Sequence, residues 1–154
     1  MPNTIETRLS ELGITLPDAP AAAANYVPFV TVGNTVYVSG QVPFVDGKLT
    51  PGKLGADTSV EEGAAIAKIC AIHLLGQVKK ACWGDLDRLV RVVKLTGFVN
   101  STADFGDQPK VINGASDFLV EALGEKGRHA RSAVSAASLP FGVAVEIEGI
   151  FEIA

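Results

Sequence analysis

The closing segment of the chain, residues 143–153, alternates with a period of two. Val143, Val145, Ile147, Phe151 and Ile153 fall on one face, and Glu146, Glu148 and Glu152 on the other. Successive side chains of a strand point to opposite faces, so this is a β-strand with an apolar face that must be covered, here by helices. Its acid-bearing face then points away from the subunit's own core and meets water or a neighbouring subunit.

The rest of the chain supplies those helices and the strand's partners. Ile5, Leu9 and Leu12 recur at helical spacing until Gly13 and Pro17 stop them. Residues 16–24, with their alanine run, read as an extended connector. Residues 26–32 and 35–39 are β-branched and aromatic around Gly33-Asn34, a two-residue hairpin signal, and 42–45 with 48–50 repeat the pairing around Asp46-Gly47. Ser59-Val60-Glu61-Glu62 is a capping box opening a helix that runs to about Trp83, with Ile66, Ile69, Cys70, His73, Leu74, Gln77 and Val78 on its packed face. Gly84-Asp85 ends it. A strand at 91–100, a helix at about 108–123 and strands at 132–138 and 143–153 complete an α+β chain with a mostly antiparallel sheet and two main helices on one face, plus a short N-terminal helix. We expect one domain, 1–154, with 1–25 as N-terminal helix and connector.

At 154 residues and 47% hydrophobic, the chain can bury one full core. With only 19% charged residues and a mean hydropathy of +0.29, its surface is apolar for a monomer, which predicts cover by sister subunits. A net charge of −4 gives no general attraction to phosphate backbones, so nucleic acid is not an expected partner. Lys79, Lys80, Arg88, Arg91 and Lys94 read as a solvated helix end and strand face. Neither a secretory leader nor an apolar run of membrane-spanning length is evident, and the expected location is the cytoplasm, with no membrane partner. Cys70 and Cys82, twelve residues apart on one helix, would lie roughly 18 Å apart, beyond disulfide reach, and read as reduced core thiols. Asn100-Ser101-Thr102 matches a glycosylation acceptor by coincidence.

Chemistry concentrates near the C-terminus. Ala130-Arg131-Ser132-Ala133-Val134, Leu139-Pro140 and Val145-Glu146-Ile147-Glu148 place an arginine and an acid at the entrances of two successive β-segments, a spacing that can aim both at one small anionic substrate. A guanidinium is a permanently charged planar fork that grips a carboxylate through two parallel hydrogen bonds. On residue types alone, Arg131 is equally readable as half of a structural ion pair with Glu146 or Glu148.

Tyr26, Gly33-Asn34 and Val38-Ser39-Gly40-Gln41-Val42-Pro43, taken with those C-terminal blocks, resemble the Rid family, the YjgF-type enamine/imine deaminases, many of which carry the name endoribonuclease L-PSP. The resemblance runs from about Tyr26 to the C-terminus. It implies a chorismate-mutase-like fold, a homotrimer with pockets in the clefts between subunits, and no cofactor or metal. It implies that Arg131 holds the substrate carboxylate, that Glu146 lies near the hydrolytic water, and that Tyr26, Ser39 and Gly40 line the pocket. Asn113 matches a family asparagine on the second main helix once one residue is inserted before Arg131. Ala133 stands where the family often has cysteine, so its contribution is a backbone group. The surroundings of Tyr26 also depart from the common pattern, which bears on the shape of the pocket, while the added residues 1–16 and the general length resemble a longer subgroup whose physiological substrate is unsettled.

The implied reaction is hydrolysis of 2-imino acids or their enamine tautomers to 2-keto acids and ammonia. An imine carbon beside a carboxylate is already electrophilic and needs a positioned water and a proton shuttle. Two alternatives differ in class: a non-catalytic binder of small carboxylates, and a ribonuclease, which the acidic balance and the absence of a His pair disfavour. His73 on a helix and His129 in a polar loop have no companions at metal-ligand spacing. Phosphate-loop, dinucleotide and nucleophile-elbow motifs do not occur.

Overall fold

The computed structural model describes residues 4–19 and 24–154. Helix α1 (Thr4–Glu11) buries Ile5 and Leu9. Its first turn is capped from across the fold, because Asp87 accepts from Thr4 N at 2.8 Å and Ile5 N at 3.0 Å. Those bonds satisfy amides that no helical carbonyl reaches. The alanine run assigned to the connector falls largely on residues 20–23, outside the described residues.

Strands β1 (Phe29–Val32) and β2 (Thr35–Gln41) form the first hairpin, with Gly33 at a φ of +59°. The expected start at Tyr26 is corrected: the strand begins after Pro28, which has no N–H to give a ladder. Strands β3 (Phe44–Val45) and β4 (Lys48–Leu49) pair separately around Asp46-Gly47. Helix α2 (Val60–Ala81) starts at the predicted capping box, with Ser59 Oγ accepting from Glu62 N. A 3₁₀ turn (Leu86–Arg88) then leads into β5 (Leu89–Asn100), helix α3 (Gln108–Leu123), β6 (Ala130–Ala136) and β7 (Val145–Ile153). Both last strands are displaced from the expected bounds: β6 opens two residues earlier, so Arg131 is a strand residue, and β7 two residues later.

The main sheet has the order β1-β2-β7-β5-β6, antiparallel except for the parallel pair β5 and β6, which α3 connects. One face carries the core. Val36, Val38, Leu95, Val99, Val145, Ile147 and Phe151 meet Cys70, Leu74 and Val78 of α2 and Ile112, Ala115 and Leu119 of α3. Full burial of each large apolar side chain contributes about 1.5–3 kcal/mol. The helices approach closely at Gly114, where a Cβ would stand 1.9 Å from the Ala64 carbonyl oxygen. On the sheet's other face Val30, Val32, Tyr37 and Val134 are exposed, which is the face expected to meet a neighbour.

Candidate functional site

Arg131 lies against α3. Pro109, Asn113 and Ser116 are spaced to share one face of that helix, and the guanidinium lies along it. Nη1 donates to Ser116 Oγ at 3.1 Å and Nη2 to the Pro109 carbonyl at 3.2 Å. The parallel register explains the direction: Arg131 pairs with Leu95 and Ala133 with Gly97, so both side chains leave on the helix face. Because β6 is an edge strand, Arg131 there is only half-buried and Asn113 is exposed. Arg131, Asn113 and Ala133 therefore form one group.

His129 adjoins it. Its Nε2 is 2.9 Å from Ser116 Oγ and its Nδ1 2.6 Å from the Gly127 carbonyl. Burial holds the imidazole's pKa below the ordinary value; the bond to the Gly127 carbonyl works against this, and the Arg131 charge adds to it. The sequence reading missed Ser116, Pro109 and His129 as parts of this group. The available signals were the three-residue step from Asn113 to Ser116 and the two-residue step from His129 to Arg131.

Glu146 belongs to a second group. It pairs with Phe98, one residue out of phase with Leu95 and Gly97, and so leaves β7 on the open face. In β2 the register slips between Val38 and Gln41, placing Ser39 and Gly40 in an irregularity opposite the start of β7. A Cβ on Gly40 would come 2.6 Å from Glu146 Oε2. Ser39 tethers the preceding segment, since its N donates to the Pro28 carbonyl at 2.9 Å and its Oγ to the Val27 carbonyl at 3.2 Å. That brings the segment following Tyr26 alongside, and Tyr26 itself is 56% exposed. Burial raises the Glu146 pKa, and the neighbouring Glu148 raises it further.

The two groups lie on opposite faces of one sheet, with β5 between their strands. The expectation that Arg131 and Glu146 converge on one substrate is therefore not met within a single chain. Nor does Arg131 pair with Glu146 or Glu148 in this chain, since its hydrogen bonds go to α3.

Among the described residues, no three His, Cys, Asp or Glu side chains gather as metal ligands. His73 Nε2 is 2.7 Å from the Phe44 carbonyl, a packed helix-face histidine. Both cysteines are free and buried, and burial pushes the Cys70 thiol far up, which makes it a poor nucleophile. A cavity of about 460 Å³ between the first hairpin and the end of α2, lined by Phe29, Trp83, Arg88 and Ile153 among others, contains none of the predicted site residues.

An α+β sheet with two helices on one face, an edge-strand arginine on that face and a glutamate on the other defines the class. Residues 6–148 match the family described as "YjgF/chorismate_mutase-like, putative endoribonuclease", and the chain belongs to this family, also called YjgF/L-PSP or Rid. It is 49% identical to Protein TCP17 of Trypanosoma cruzi over 97% of this chain and 94% of the relative. It is 33% identical to the 2-iminobutanoate/2-iminopropanoate deaminase of Mus musculus over 86% of this chain and 84% of the relative. The crystal structure of Atu1372, a protein of unknown function from Agrobacterium tumefaciens, superposes with a TM-score of 0.92 at 52% identity, covering 99% of this chain and 94% of that one.

Proposed function

We propose that this protein hydrolyses reactive 2-imino acids and their enamine tautomers to 2-keto acids and ammonia, at sites built between two copies of the chain in a homotrimer. The observation that carries this reading is the separation of Arg131 from Glu146 onto opposite faces of one sheet. A substrate touching both needs Arg131, Asn113 and Ala133 from one copy and Tyr26, Ser39, Gly40 and Glu146 from its neighbour. The exposed apolar side chains on the same sheet face as Glu146 support the same arrangement, because a sheet face of this kind is stabilised by burial.

The chemistry follows from the residue types. Arg131 grips the substrate carboxylate with its free N–H groups and fixes the adjacent imine carbon. Glu146 takes a proton from water as that water adds, and returns one to nitrogen as ammonia leaves. A carboxyl group with a raised pKa suits both transfers, being a stronger base when ionised and available as an acid when protonated. The similarity to a named imine deaminase supports the substrate class.

The test generates 2-iminobutanoate in situ with a dehydratase and follows keto-acid release. The protein should accelerate it, and the Arg131→Ala variant should not. Binding of 2-oxobutanoate without any acceleration would replace this reading with a carboxylate-binding protein.

A further inference from the structure

We propose that Ser116 and His129 are positioning residues for Arg131, forming a relay in which the imidazole orients the serine hydroxyl and the hydroxyl orients the guanidinium. The inference rests on the reading of Arg131 as the carboxylate anchor, and assigns the groups that aim it.

The direction of each hydrogen bond is fixed by what the atoms can do. The Gly127 carbonyl, 2.6 Å from His129 Nδ1, can only accept, so Nδ1 carries the proton. Burial favours the neutral ring, which with its proton on Nδ1 presents a lone pair at Nε2, 2.9 Å from Ser116 Oγ. Ser116 has one hydrogen to give, and Arg131 has no lone pair to receive it. The hydroxyl therefore donates to His129 and accepts from Arg131 Nη1 at 3.1 Å. With Nη2 on the Pro109 carbonyl at 3.2 Å, both terminal nitrogens are held on the α3 side, which turns the guanidinium's plane and leaves further N–H groups for a ligand.

This arrangement answers a problem specific to the site. Arg131 is half-exposed on an edge strand, where an arginine samples many rotamers and loses that freedom on binding. Holding the fork beforehand removes the loss from the binding step. The relay is consistent with a neutral imidazole, because burial disfavours the charged ring and the Arg131 charge adds to it, against the opposing pull of the bond to the Gly127 carbonyl. The nearby Glu125 and Arg128 pair with each other at 2.9 Å, and Arg91 donates to the Arg128 carbonyl.

The experiment uses the intact protein and two readouts. The first, NMR of the side chains without substrate, should show His129 protonated on Nδ1 and Arg131 with slow rotation about its guanidinium bond. Ser116→Ala should free that rotation and Ser116→Thr should restrain it again, while Arg131→Ala should raise the His129 pKa. The second is titration with 2-oxobutanoate, where Ser116→Ala should bind about tenfold more weakly and Ser116→Thr should recover. An Nε2-protonated His129, or unchanged Arg131 rotation and unchanged affinity in Ser116→Ala, would overturn the relay. If the unaltered protein takes up no 2-oxobutanoate while Ser116 still restrains Arg131, the relay stands and the anchoring reading falls.

Discussion

Arg131 leaves the sheet toward α3 while Glu146 leaves it on the opposite face, with β5 between their strands. Rotation of either side chain cannot bring them together through a hydrogen-bonded sheet. Arg131 is held on its side by Ser116 and Pro109, and the Glu146 carboxylate lies over Gly40 on the other. A reaction that uses both requires the faces of two copies to meet.

Arg131→Ala should lower imine hydrolysis about a hundredfold or more and leave the fold intact. A hydrogen bond to a charged group is worth about 1.5–3 kcal/mol, and losing the fork also misorients the reacting carbon. Arg131→Lys should stay impaired, because one ammonium cannot reproduce a bidentate grip. Steady-state kinetics with circular dichroism separate these effects from misfolding.

Glu146→Gln should reduce turnover more than it weakens 2-oxobutanoate binding, since the amide keeps the shape but exchanges no proton. In the unaltered protein activity should fall as the pH drops through the Glu146 pKa, at a higher pH than for an ordinary carboxylate. Glu148→Gln removes a neighbouring negative charge that favours the protonated form. The acid limb of the pH–rate profile should therefore move to lower pH, and a shift upward would contradict the assignment.

Gly40→Ala places a methyl 2.6 Å from Glu146 Oε2. The obstructed atom is the end of a flexible side chain, so the carboxylate swings aside at little cost to the fold while the reaction loses its base. The expected result is a melting temperature close to the parent's with turnover strongly reduced.

Gly114→Ala meets backbone instead, with the new carbon 1.9 Å from the Ala64 carbonyl oxygen. Neither helix can yield without moving its packed neighbours, and overpacking of this kind costs about 1–3 kcal/mol or more. Chemical denaturation should show the loss directly.

How much of this was legible beforehand depended on whether the signal was local. The bounds of α3 follow from its own periodicity, the start of α2 from the Ser59–Glu62 capping box, and the two faces of β7 from alternation within one segment. The start of β1 was misplaced because the aromatic run at Tyr26 outweighed the missing N–H of Pro28. The faces of Arg131 and Glu146 could not be compared from sequence. Each residue's parity is readable within its own strand, but relating them requires the parallel register of β6 on β5 and the insertion of β5 between β6 and β7. His129 does lie in a loop, as expected, but its part in the site was not legible because Ser116, its partner, comes from the preceding helix thirteen residues earlier.

The most direct test of a site shared between chains is complementation. Arg131→Ala and Glu146→Gln proteins, each strongly impaired alone, are unfolded together in equal amounts, refolded and assayed. In a mixed three-fold ring one boundary joins an intact Arg131 to an intact Glu146, so random assembly should restore roughly a quarter of the unaltered protein's activity. Mixed assemblies detected by native mass spectrometry that remain as inactive as the two parents would contradict it.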